Sequence, residues 1–72
     1  MNRPLNSVDI GVGRALKKLR LNRRLSVDEM ALALNITPEQ LNAIEDGLLR
    51  MPVQVLFRAT TQFEVPVSNF YE

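Results

Sequence analysis

Residues 26–47 read SVDEMALALNITPEQLNAIEDG, and two start signals and two stop signals are packed into them. Ser26 followed three residues later by Glu29 is a capping box, in which each side chain can satisfy the other residue's orphan backbone N–H. Val27, Met30, Ala31 and Leu34 then fall at i, i+3, i+4 and i+7, the apolar stripe of a short helix. Asn35 closes it, because asparagine tolerates the left-handed backbone used at helix ends. After Ile36 a second helix opens at once. Thr37 caps it, Pro38 sits where a missing N–H is harmless, and Glu39 meets the positive end of the helix dipole. Leu41 and Ile44 give it a core side, and Gly47 ends it. Two helices joined by about three residues are forced to meet at a steep angle.

The flanks extend the same pattern. Upstream, Val12, Leu16 and Leu19 are spaced i, i+4, i+7, which predicts a helix from about Asp9 to Asn22 with Asp9 as its cap. Gly11 and Gly13 are expected to weaken its first turn. Downstream, Pro52 to about Phe63 reads as a helix carrying Val53, Leu56, Phe57 and Phe63. Pro66 to Tyr71 reads as a last turn. The expected fold is all-α, a compact bundle of about five short helices with a central helix-turn-helix. Residues 1–8 are expected to be a flexible N-terminal segment, in which Arg3 could serve as a short arm, and residues 9–72 a single domain.

Composition narrows the function. The 72 residues contain no cysteine and no histidine, which removes disulfides, the usual zinc ligands and Cys- or His-based catalysis. Asp28–Glu29 and Glu45–Asp46 are sequence neighbours, so each pair diverges around its helix and does not form a working carboxylate pair. An enzyme is not expected, nor a cofactor or metal. No apolar run approaches the ~20 residues that span a bilayer, and MNRPLNS lacks the apolar stretch of a signal peptide, so a cytoplasmic protein is expected. The net charge is +1, but it is unevenly spread. Arg14, Lys17, Lys18, Arg20, Arg23 and Arg24 are six of the nine basic residues, with no acid among them. From Ser26 onward seven acids face two bases. Such a run is either a solvated helix face or a surface facing phosphates.

The order of these signals resembles the helix-turn-helix domain of phage repressors and Cro proteins, the xenobiotic-response-element family. VGRALKKLR and LSVDEMALAL stand where that family carries its first two helices. Ala31 takes the small position at the helix contact, and Asn35 the turn position that is usually glycine. LNAIEDG matches the family's spacing of apolar residues, Glu and Gly, and FEVPVSNFY its ending. Arg24 also stands at a position that is often glycine. The resemblance implies a structural pair between Arg20 and Glu45. A bidentate ion pair there would fix the third helix on the first.

It also implies that the third helix lies in the DNA major groove with its outward residues near base edges. Gln40 and Asn42 could pair with adenine, and Glu39 could accept from cytosine. Thr37 and Pro38, at the helix N-terminus, are placed to meet a phosphate; Ala43 completes the outward face. Arg23, Arg24 and Arg50 are the expected backbone contacts. Against this, Glu39 and Asp46 are negative, Val27 stands where a glutamine is frequent, and GLLRM offers a single base. One of Leu48 and Leu49 is expected to pack under the fourth helix and the other to be exposed.

Few phosphate contacts per subunit favour a dimer on two half-sites, and Val65, Val67, Phe70 and Tyr71 are the expected interface. The implied function is a small DNA-binding transcriptional regulator, a repressor or controller protein, bacterial or phage-encoded and nucleoid-associated when bound to double-stranded DNA. With no second domain expected, its control would come through concentration, a regulatory protein partner or proteolysis. The competing reading is a protein-interaction module, an anti-activator or antirepressor, that has lost most DNA contact.

Overall fold

The computed structural model describes residues 6–71. They form four α-helices and one 3-10 turn: α1 (Ser7–Asn22), α2 (Val27–Leu34), α3 (Pro38–Glu45), α4 (Val53–Phe63), then Val67–Asn69. No strand occurs among the described residues. The fifth expected helix is that 3-10 turn, entered from extended backbone at Pro66 and ended at Phe70. Among the described residues no helix is long and apolar enough to cross a membrane. Residues 1–5, including Arg3, lie outside the described residues, so most of the expected flexible segment does too.

The first helix starts earlier than its sequence suggested. Asn6, not Asp9, is the cap: its Oδ1 accepts the Asp9 N–H at 2.9 Å. Asp9 therefore sits in the first turn, where its charge suits the helix dipole. The two glycines consequently lie inside the helix. A methyl group on Gly13 would come within 2.0 Å of the Ile44 carbonyl oxygen, so the missing side chain is what lets α1 lie against the end of α3. Gly11 has open space where its side chain would be.

α3 packs on α1 and α2, and α4 covers α2. Val12, Leu16 and Leu19 from α1, Met30, Ala31 and Leu34 from α2, and Leu41 and Ile44 from α3 are all buried, as their spacing required. α4 adds Val55 and Ala59. Two contributions differ from expectation. Met51 is the buried side chain of the α3–α4 loop, while Leu48 and Leu49 are both exposed. Phe70 is only 2% exposed and is among the largest fully buried side chains. It plugs the monomer core and cannot form the dimer interface expected of it. Val65 is half-buried against the same core, leaving Val67 and Tyr71 exposed at that end.

All four helices close in one way. Arg24, Asn35, Gly47 and Glu64 have φ of 57°, 59°, 76° and 54°, and the next residue's N–H reaches back to the carbonyl five positions earlier: Leu25 to Arg20, Ile36 to Ala31, Leu48 to Ala43 and Val65 to Thr60. This is the left-handed helix stop, which satisfies carbonyls left without helical partners.

Candidate nucleic-acid interface

Glu45 is what holds α3 at its angle. Arg20 Nε donates to Glu45 Oε2 at 2.9 Å and Arg20 Nη2 to Oε1 at 3.1 Å, with both side chains buried. Arg20 Nη1 also donates to the Leu25 carbonyl at 3.1 Å, tying the same guanidinium to the α1–α2 loop. The Glu45 hydrogen bond holds the Arg20 pKa above its ordinary value, with the ion-pair attraction assisting and burial opposing. The paired charges have satisfied hydrogen bonds, which is the condition under which a buried ion pair is tolerated. At the turn, Arg58 Nη1 donates to the Leu34 carbonyl at 3.4 Å. Nothing in the sequence flagged Arg58; a cation midway along α4 does not reveal which neighbouring helix end it will meet.

With α3 seated on Leu41, Ile44 and Glu45, its remaining residues fall outward. Glu39, Gln40, Asn42 and Asp46 are exposed, Pro38 and Ala43 half-buried, and Thr37 exposed at the start. The helix start is more constrained than the sequence suggested. Thr37 Oγ1 accepts the Gln40 N–H at 3.0 Å, and Gln40 Oε1 accepts the Thr37 N–H at 2.9 Å. This second capping box was legible, since Gln three residues after Thr is its signature. Gln40 thus uses the amide oxygen that two-point pairing with adenine requires. Asn42 is exposed and its amide joins no hydrogen bond among the described residues, so it is the polar outward group most available for contact.

The expected phosphate contacts fare differently. Arg24 is exposed, in left-handed backbone, just before α2. Arg50 Nε donates to Asp9 Oδ2 at 3.2 Å, so its charge is partly answered within the chain. Arg23 is committed elsewhere: its Nη2 donates to the Phe63 carbonyl at 2.8 Å and its guanidinium lies 5.6 Å from the Phe63 ring centroid. It caps the C-terminal end of α4, where a cation complements the helix dipole, so its guanidinium is partly engaged within the chain.

Known proteins agree with this architecture. The model of the helix-turn-helix domain family matches residues 15–60, more than half of the chain. The structure is similar to the restriction-modification controller protein C.AhdI from Aeromonas hydrophila, with TM-score 0.81 and 15% identity, covering 92% of this chain and 100% of that one. It is also similar to the clp gene regulator ClgR from Corynebacterium glutamicum, with TM-score 0.81 and 21% identity, covering 93% of this chain and 71% of that one. At these identities the likeness shows the fold alone. No curated protein sequence matches the chain.

Proposed function

The chain belongs to the helix-turn-helix domain family, and on that premise we propose that it is a small sequence-specific DNA-binding regulator of transcription, acting as a homodimer. The observation that carries this reading is the exposed Asn42 amide on a short helix held by the buried Arg20–Glu45 pair. That combination gives an uncommitted polar group on a rigidly seated helix, which suits reading a base edge in the major groove. Gln40, Glu39 and Ala43 flank it, Thr37 and Pro38 face a phosphate at the helix start, and Arg24 and Arg50 meet the DNA backbone. The names of the two similar structures, a controller protein and a gene regulator, point the same way. The dimer contact would use Val67 and Tyr71, the apolar groups still exposed at the C-terminal end.

The test is fluorescence anisotropy with duplexes tiled across the DNA upstream of the protein's own coding region. One duplex should bind well above the others. Asn42→Ala should weaken that duplex by about 1–3 kcal/mol and leave the others nearly unchanged. Equal binding to every duplex, or none at low salt and micromolar protein, would overturn the proposal.

A second reading has specific support. Leu48 is 77% exposed beside α3, and Val53 and Phe57 are 80% and 70% exposed, one turn apart on the outer face of α4. An interaction module that docks another protein would use these groups. It predicts that Leu48→Asp abolishes activity while Asn42→Ala does not.

A further inference from the structure

The basic run of α1 does not form one surface. Gly13 abuts the α3 carbonyl and Arg20 bonds Glu45, which fixes the side of α1 that faces α3. At 3.6 residues per turn, Lys18 lies roughly 160° around the helix from Arg20, and Arg14 roughly 120°. Both therefore point away from the reading helix. They line an open groove of about 590 Å³ between α1 and the segment that follows α4, together with Arg23. Ala15, Leu19 and Val65 contribute apolar wall, Asn22 and Asn69 polar wall, and no carboxylate of the described residues lines it. Three cations thus share one open groove of mixed polar and apolar lining, and Arg23 is held in place there by the Phe63 carbonyl.

We propose that this groove binds a small molecule with an apolar body and one anionic group, the anion being held by Arg14, Lys18 and Arg23. The volume lies within the ~300–1,000 Å³ usual for small-molecule sites, which pair apolar walls with a few placed polar groups. The carboxylate, sulfonate or phosphate of the ligand would take hydrogen bonds from the guanidinium groups, for which planar donors are suited. Its apolar part would cover Ala15, Leu19 and Val65. The binding itself does not rest on the DNA reading. Within the groove the ligand would share Arg23 with the carbonyl end of α4.

The test uses 1-naphthoate as the anionic probe and 1-naphthamide, its neutral counterpart of nearly equal shape, each titrated into the full chain without DNA and followed by ¹H–¹⁵N NMR. Naphthoate should give saturable shifts at amides of residues 11–23 and 65–69. Naphthamide should bind at least tenfold more weakly. The double variant Arg14→Gln/Lys18→Gln should lose at least tenfold in naphthoate affinity. Raising KCl to about 0.5 M should weaken naphthoate binding to the unaltered chain, because exposed charges are screened. Equal affinity for the two probes, shifts centred on Val53 and Phe57, or no saturation by millimolar naphthoate would each overturn the proposal. It also fails if a DNA duplex displaces naphthoate and shifts the same amides, since the groove would then be a path for the DNA backbone.

Discussion

Glu45 is an acid placed where a sequence reader would first look for a DNA contact, and the structure gives it to the core. Removing its side chain as Glu45→Ala leaves the Arg20 guanidinium buried with one carbonyl partner. The loss should be about 3–5 kcal/mol, the range for breaking a buried pair, measured by urea denaturation. Because the folded-state pKa of Arg20 is raised, the stabilisation on the arginine side is fully present below the unfolded value and is lost only as pH climbs through the folded one. Arginine stays charged through the whole range in which proteins are studied, so the cost of Arg20→Met should be the same at pH 7 and pH 10. The two α1 glycines give a sharper contrast. Gly13→Ala drives a methyl group into the Ile44 carbonyl oxygen, which is backbone and cannot rotate away. It should cost about 3 kcal/mol or more, as overpacking does at its upper end. Gly11→Ala meets nothing and should stabilise the helix by roughly 0.5–1 kcal/mol. Thermal melts of the two variants should move in opposite directions. Sequence periodicity treated these glycines alike, because a period identifies a face but not the atom that will stand against it.

At the scale of elements, the helix ends were the most legible feature and also the most informative departure. Ser26, Thr37, Asn35 and Gly47 announce their roles because caps and stops are local chemistry, decided within four or five residues. The start of α1 was less legible, since Asn6 and Asp9 are both good capping residues three positions apart and only the first hydrogen bonds distinguish them. Arg24 and Glu64 were still harder, because left-handed backbone is uncommon for such side chains and costs each about 1–2 kcal/mol. Glu64→Gly should raise stability by roughly 0.5–1 kcal/mol, after allowing for the greater freedom of glycine in the unfolded chain, with no change in DNA affinity. Arg24→Gly should stabilise by a similar amount but weaken binding to every duplex, a trade of strain for contact. Equal DNA affinity in both variants would remove Arg24 from the interface. The capping box of α3 sets its own test. Gln40→Glu keeps an acceptor for the Thr37 N–H and adds charge at the favourable helix end. Its melting temperature should therefore stay close to wild type, whereas adenine pairing through the amide is lost. A large fall in stability would show that Gln40 matters to the fold in a way the cap does not explain.

At the scale of the molecule, the distribution of cations decides how the protein can meet DNA. The run from Arg14 to Arg24 reads in one dimension as a single basic patch, but folding divides it among three destinations. Arg20 goes into the core pair, Arg14, Lys18 and Arg23 to the groove, and only Lys17 and Arg24 stay outside both. Arg50 is already bonded to Asp9. The net charge of the run was legible; its division was not, because it depends on which side of α1 the third helix occupies. The longest dimension of the subunit is 33 Å, close to the ~34 Å between half-sites on one face of a duplex. In the proposed dimer two copies would lie side by side, nearly a molecule's length from one reading helix to the other, which suits contact through exposed ends such as Val67 and Tyr71. With about two to three phosphates neutralised per subunit and a contribution of roughly −0.9 each to the slope, log K against log salt for the dimer should have a slope on the order of −4 to −5. Arg24→Ser should make it shallower by roughly 2, one phosphate in each subunit. Anisotropy titrations between 50 and 200 mM KCl measure both. A slope twice as steep would mean that Arg14 and Lys18 also face the duplex, and the division of charge described above, with the groove that depends on it, would be wrong.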